Sequence, residues 1–504
     1  MKIEAMYCRS LPLSSDPAAL YARLSRSRGP WAVLDSGWDP GGARGGPLSR
    51  FCVCAVDPFA LLTARGDRAV LTWKDGRCER GSTLPLLRDV LKRFQLPDSN
   101  WPTPFPAGAL GYFGYELGAL MEPAFGAPPR ADQETGLPDL WLGLFDSAVT
   151  IDLERERIVL SATGQPDSGG RARQRAESRI RELTAAVESA VAAPMRGPVP
   201  APPASAGGDG FDSNFTPSGF ARAVDRIKEF IAAGDIYQAN LSHRFRTRFR
   251  KDPFRLFLDL RQAAPAPFSA FLDGGDFAVV SMSPERFLHL DPETRRVETR
   301  PIKGTRPRGR TVTEDRLLAR ELVHSGKDRA EHVMIVDLER NDLGRVAQVG
   351  TVQVRELSLL ETFPTLFHLT STVEGILAPG RDRVDLLKAT FPGGSITGAP
   401  KIRAMQVIDE LETVRRGIYT GSLGYLSFTG GMDLNVAIRT IVVRDGRAEF
   451  HVGAGIVADS DPEAEYQETL VKGRSLREAL EAAETRDREP FRQTASRLLA
   501  DRIF

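Results

Sequence analysis

Lys303 sits in the string Pro301-Ile302-Lys303-Gly304-Thr305, amid carboxylates, an arginine and glycine turns that could together receive a small, doubly acidic substrate. A lysine in such a place is either a fixed charge or, as the neutral amine, a nucleophile. Asp328-Arg329-Ala330-Glu331 reads as a helix-capping box. The other reading is Glu331 as a ligand, towards which the context points, because His332, an apolar run over 333–336, and then Asp337, Glu339 and Asp342 follow. Glu465, Glu468 and Lys472 share one face of a long helix by i, i+3 and i+4 spacing. That helix follows the glycine turn Gly453-Ala454-Gly455, with a cap expected at Ser460 or Asp461. A solvated face with an ion pair is the plain reading. The other is a pair of carboxylates from distant segments, Glu331 with Glu468 or Glu465, seating Mg²⁺, a hard ion that keeps waters for its substrate.

Three further strings carry polar groups in unusual settings. Residues 393–401 (GGSITGAPK) are a glycine- and hydroxyl-rich turn into a helix, with Pro400 in its first turn and Ile402, Met405, Ile408 and Leu411 as its buried stripe. Free N–H groups at such a start favour an anion, a carboxylate as readily as a phosphate. The order of a Walker loop is absent. Arg439 lies in an otherwise apolar strand, so it must be paired or face a cleft; its guanidinium suits bidentate carboxylate binding. Ser283-Pro284-Glu285-Arg286 falls at a turn between strands, where a lone glutamate is ordinarily solvated but becomes a general acid when burial raises its pKa.

These residues need a large scaffold to bring them together. At 504 residues the chain exceeds the usual single-core limit. Hydrophobic content of 41% and charged content of 26% describe an ordinary globular protein, and a formal charge of +1 argues against a nucleic-acid partner. The four cysteines all fall before residue 79 and make no C-x-x-C pair, which disfavours a disulfide framework or a zinc cluster and suits a reducing cytoplasm. Met1-Lys2-Ile3-Glu4 leads into no signal-type apolar core, and no apolar run approaches the ~20 residues of a membrane span. Composition divides the chain into a lobe over 1–193, a Pro/Ala/Gly linker over 194–210, a region over 211–484 and a tail over 485–504.

In the first lobe, Phe51–Val56 and 69–73 read as strands, 107–116 as a glycine-punctuated aromatic segment and 172–192 as a helix. After the linker, Thr216 caps a helix whose stripe is Phe220, Val224, Ile227 and Ile231 and which ends at Gly234. Strands run over 277–303 and 421–457, with hairpin turns at 429–431 and 445–446; helices run over 314–325, 328–340, 400–413 and 461–484. Hairpins in runs, separated by helices, predict an α+β architecture on large antiparallel sheets.

Taken in order, these strings resemble the chorismate-utilising enzymes. The matching strings are 234–245 (GDIYQANLSHRF), 283–287 (SPERF), 298–305 (ETRPIKGT), 330–344 (AEHVMIVDLERNDLG), 367–375 (FHLTSTVEG), 391–405 (FPGGSITGAPKIRAM), 419–425 (YTGSLGY), 435–440 (NVAIRT) and 453–472 (GAGIVADSDPEAEYQETLVK). They cover 214–480; Leu34-Asp35-Ser36-Gly37 and 111–116 carry a looser match to the family's N-terminal region. The resemblance implies a sandwich of two large antiparallel β-sheets with helices on the outside, the N-terminal lobe interwoven with the catalytic one.

Within the family, lysine at position 303 resembles the branch that aminates chorismate at C4 on the way to para-aminobenzoate and folate, where anthranilate and isochorismate synthases usually have alanine. The resemblance implies Glu331 and Glu468 as Mg²⁺ ligands with Glu465 as an auxiliary acid. It implies Arg439, Tyr419 and the Gly455 backbone as the clamp on the enolpyruvyl carboxylate, and Ser395 with its turn as part of a carboxylate site. Thr305 and Lys472 belong to the substrate site by the same match. Glu285 would protonate the departing hydroxyl and Lys303 would attack C2, giving a covalent adduct that ammonia resolves at C4. Ammonia would come from a separate glutaminase subunit. Gln238 stands where isochorismate-type relatives have a water-activating lysine. His368 matches a position that helps pyruvate release, so anthranilate synthesis is the rival reading. A non-catalytic binding subunit would lack at least one of Glu285, Lys303, Glu331 and Glu468, and all are present. Tryptophan near Leu34–Gly37 is a separate expectation.

Overall fold

The computed structural model describes residues 7–13, 16–25, 29–37, 48–97, 101–125, 136–191, 210–363 and 366–485. The linker, apart from Gly210, and the tail beyond residue 485 lie outside the described residues. Among the described residues, two twelve-stranded antiparallel sheets form the centre. Side chains alternate along each strand, so one strand feeds two cores. On Phe51–Val56, Val53 and Ala55 join the layer between the sheets, whereas Cys52 and Cys54 face outward under the helices. On Gly108–Phe113, Leu110 and Tyr112 point into the inter-sheet layer and Ala109 and Phe113 away from it. The outer face of one sheet is covered by Pro17–Leu24, Gly169–Val191, Pro253–Ala263 and Pro462–Thr485. The other is covered by Thr83–Arg93, Gly326–Gly344 and Arg383–Thr390. This is the expected α+β sandwich with helices outside.

Neither sheet belongs to one stretch of chain. In the first, Trp31–Asp35 pairs with Phe268–Asp273; in the second, Gly108–Phe113 pairs with Ser422–Ser427. The expected helix at Thr216 forms as Pro217–Ala232, its cap hydroxyl accepting from the Gly219 N–H at 3.0 Å.

Three local expectations need correction. Asp328 does not cap a helix: the helix starts at Gly326 and Ser325 Oγ accepts from the Asp328 N–H at 3.2 Å, leaving Glu331 inside the second turn and free to point elsewhere. Residues 393–401 are not one turn into a helix. A short 3₁₀ turn (Gly394–Ile396) and a two-residue strand (Gly398–Ala399) precede Lys401–Leu411. Arg439 is outside its strand, which begins at Thr440; it occupies the connection before it, with φ of 51°. Between the two candidate caps of the last helix, Asp461 does the capping, accepting from the Ala464 N–H at 2.9 Å.

Candidate active site

The strand Gln238–Arg248 pairs with Arg447–Ile456 so that Asn240 lies opposite Gly455 and Ser242 opposite Gly453. This end of the first sheet meets Ile302–Pro307, the terminal strand of the second, and the helices Gly326–Gly344 and Pro462–Thr485 close over it. Lys303 Nζ donates to Glu331 Oε1 at 2.8 Å. Gln238 Nε2 donates to the same oxygen at 2.8 Å. Burial alone would raise the Glu331 carboxyl, but Lys303 and Gln238 outweigh it and hold the group below its ordinary value. Gly455 leaves room for this arrangement: a Cβ there would lie 2.3 Å from Gln238 Nε2 and 3.0 Å from Glu331 Oε1.

Glu468 sits on the neighbouring helix, where burial first and then the Glu331 charge work against its ionisation, while Lys472 at 2.6 Å more than compensates and holds the group below its ordinary value. Lys472 Nζ also reaches the Gly453 carbonyl at 3.1 Å. Glu465 is buried and turned aside, accepting from Ser460 Oγ at 2.6 Å; burial raises its pKa. Among the described residues no three His, Cys, Asp or Glu side chains converge into a ready-made metal cage. Glu331 and Glu468, two carboxylates that feel each other's charge beside a glycine gap, suit a hexacoordinate hard ion that takes its remaining ligands from water and substrate.

Glu285 overturns the solvated reading. It is 5% exposed and accepts from Ser395 Oγ at 2.6 Å. Burial pushes its pKa to about 7, against the opposing pull of Ser395 and Lys303. A carboxyl that holds its proton near neutrality, within reach of the Lys303 charge, has the profile of a general acid. Its turn is pinned from behind, where the Val436 N–H donates to the Glu285 carbonyl at 3.0 Å and Ser283 Oγ to the Val436 carbonyl at 2.6 Å.

Arg439 has no ion-pair or hydrogen-bond partner for its guanidinium among the described residues, although burial presses on its charge. Its neighbour His368 is 2% exposed; Nδ1 meets Thr305 Oγ1 at 2.9 Å and Nε2 has no partner among the described residues. Burial and the Arg439 charge lower the imidazole pKa to about 3, so it is neutral. Such a guanidinium, beside a neutral imidazole and without a partner among the described residues, has the chemistry to receive an anion. Tyr419, buried and stacked on His451 with centroids 5.2 Å apart, brings its hydroxyl to the Gly453 backbone, where a Cβ would lie 2.8 Å from it. Arg439→Ala is expected to raise KM for an anionic substrate about 10- to 100-fold with kcat little changed, the loss of charge-assisted hydrogen bonds, as steady-state kinetics would show.

The structure therefore brings Lys303, Glu331, Gln238, Gly455, Glu468 and Lys472 to one place, joins Ser395 to Glu285 and Thr305 to His368, and leaves Glu465 at the edge. The expected anion cradle at 393–395 is partly taken, because the Gly394 N–H donates to Glu339 Oε1 at 3.1 Å. Arg416 went unnoticed in the sequence. It is 3% exposed and donates to the carbonyls of Asn240 and Ile396 and to both oxygens of Glu412, tying three site segments together. Its signal, two adjacent arginines before Gly417, is too common to be singled out.

A separate cavity of about 480 Å³ lies between the sheets, lined by Leu34, Asp35 and Ser36 together with Phe268, Arg286 and Tyr425. It shares none of the catalytic candidates.

A family model described as chorismate binding enzyme matches residues 49–478. Aminodeoxychorismate synthase component 1 of Escherichia coli is 40% identical over 92% of this chain and 96% of its own length. Anthranilate synthase component 1 of Thermus thermophilus is 39% identical over 93% of this chain and 96% of its own. The crystal structure of anthranilate synthase component I from Streptococcus pneumoniae superposes with a TM-score of 0.72 at 33% identity, covering 85% of this chain and 92% of that one. With a match that begins at residue 49 and so takes in most of the N-terminal lobe as well as the motif-rich region, this chain belongs to the chorismate-binding enzyme family.

Proposed function

We propose that the chain aminates chorismate at C4, giving 4-amino-4-deoxychorismate for para-aminobenzoate and folate synthesis. The observation that carries this reading is Lys303, poised between the Glu331 carboxylate and the charge field of the buried acid Glu285. Lys303 Nζ, once neutral, forms a bond to C2; the two conjugated ring double bonds shift, from C1=C2 and C5=C6 to C1=C6 and C4=C5, and the C4–O bond breaks. Glu285 supplies the proton with which that oxygen leaves as water. Ammonia then bonds to C4, both double bonds shift back, the C2–N bond to Lys303 breaks, and the Glu285 carboxylate takes up a proton from the incoming nitrogen. In each half the entering and leaving groups are related through both conjugated double bonds, so no direct displacement at C4 is needed.

Arg439, His368 and Tyr419 would receive the enolpyruvyl carboxylate. Glu331 and Glu468, with Glu465 behind them, would hold Mg²⁺, which when bound supplies positive charge for the ring carboxylate. Gln238 is an amide and cannot deprotonate water, which disfavours attack by water at C2.

Relatives are named as a component 1, which supports a second component; we assign it as a glutaminase that delivers ammonia. No described helix is long and apolar enough to cross a membrane, and a cytoplasmic setting is part of the proposal. So is tryptophan as a ligand of the Leu34–Ser36 cavity, which a calorimetric titration without heat would remove.

Mass spectrometry of the products from chorismate, Mg²⁺ and an ammonium salt tests the reaction. Aminodeoxychorismate is expected. Anthranilate with pyruvate would favour the second reading, for which the unpartnered His368 Nε2 is the supporting observation.

A further inference from the structure

We propose that Glu339 is a positioning residue for this reaction: from the helix Gly326–Gly344 it holds the turn Gly394–Ile396 so that Ser395 Oγ stays on Glu285. The inference rests on the assignment of Glu285 as the acid.

The contacts form one continuous chain. Glu339 is 3% exposed, and its Oε1 accepts from the Gly394 N–H at 3.1 Å. One residue on, Ser395 Oγ donates to Glu285 Oε1 at 2.6 Å. The far side of the turn is closed by Thr397 Oγ1, which donates to the Gly393 carbonyl at 2.9 Å. The turn is seated directly on the helix: a Cβ on Gly394 would lie 2.7 Å from Leu338 Cδ2 and 3.3 Å from Glu339 Oε1.

An aliphatic side chain at 339 would leave the Gly394 N–H buried without an acceptor and the turn free to shift. A carboxylate there would set a second negative charge near Glu285. The surroundings avoid this. Lys401 is spent on Asp342 and on the Thr390 carbonyl, so it does not pair with Glu339. Burial, with Asp342 and Glu285 adding to it against Lys401, raises the Glu339 pKa to about 8. Glu339 thus acts as a neutral acceptor, which glutamine can imitate and methionine cannot. Glu331 lies two helical turns earlier on the same helix, so one rigid element sets both the carboxylate beside Lys303 and the turn behind the acid.

The test is ammonia-dependent turnover at saturating Mg²⁺, with kcat and KM for chorismate measured separately, for Glu339→Gln, Glu339→Met, Ser395→Ala and the double variant Glu339→Met/Ser395→Ala. Glu339→Gln should stay within about 3-fold of the parent, since the acceptor is kept. Glu339→Met should lose about 10- to 100-fold in kcat with KM nearly constant, the cost of a displaced catalytic contact. The double variant should be no slower than the slower single one, because both act through the same hydrogen bond. Glutamine as damaging as methionine, an additive double variant, or a parental kcat in Glu339→Met would each overturn the proposal. Should Glu339→Met not fold, Gly394→Ala replaces it: lifting the turn off Leu338 should reproduce the kcat loss, and a parental rate would overturn the proposal. Product identity from the parent is read separately. Anthranilate there would sink the reaction assignment while the coupling between positions 339 and 395 is still measured on the reaction observed.

Discussion

Lys303→Ala is expected to lower kcat for amination on the order of 10³-fold or more, while KM for chorismate changes by less than about 10-fold. The asymmetry follows from geometry. Lys303 is the nucleophile in the proposed sequence, so its loss removes the covalent route, whereas the groups assigned to the enolpyruvyl carboxylate, Arg439 with His368 and Tyr419, do not touch it. Its contact with Glu331 at 2.8 Å is also a charge interaction, and that second role needs a control. Lys303→Arg keeps the cation and abolishes the nucleophile, so it should be as slow as alanine. A variant pair in which arginine restores the parental rate would reduce Lys303 to a counter-charge. Quantifying aminodeoxychorismate by mass spectrometry under single-turnover conditions separates the two.

Glu285→Gln should cost about 10²- to 10⁴-fold in kcat, the usual worth of a positioned acid. The pH profile gives the sharper reading. The group must carry its proton to release the C4 hydroxyl, and burial places its pKa at about 7. Parental activity should therefore fall as pH rises through about 7 on account of this group. In Glu285→Gln the residual rate should lack that limb. The same shift has a consequence for folding. A carboxyl whose folded pKa is raised contributes stability that is fully present below its ordinary value and is lost as pH rises through about 7. The glutamine variant should consequently denature at a higher temperature than the parent at pH 8, an effect that shrinks towards pH 4. Parental limbs surviving in the variant would mean that another group supplies the proton.

Much of the architecture was legible because hydrophobic period and turn residues act locally. Thr216 with Pro217 and Gly234, the Asp445-Gly446 hairpin and the alternating strands needed no distant information. The catalytic candidates were legible through the order of their strings, which resembles a family. What escaped was decided by contacts distant in sequence. Whether Glu285 is solvated depends on Ser395 and the sheet around it, 110 residues away. Asp328 and Ser325 are both good caps, and only the packing of the helix chooses between them. Arg416 is a hub because three separate carbonyl and carboxylate partners converge on it, which no local pattern encodes.

The shared sheets set a timetable for synthesis. Phe113 pairs with Ser422, so the strand Gly108–Phe113 leaves the ribosome with one edge open and waits for a partner some three hundred residues downstream. At translation rates of about 5–20 residues per second, that wait is roughly 15–60 seconds. During it an apolar strand edge is exposed to other nascent chains, so yield from a cell should depend on elongation speed and chaperone supply more than on the stability of the finished enzyme.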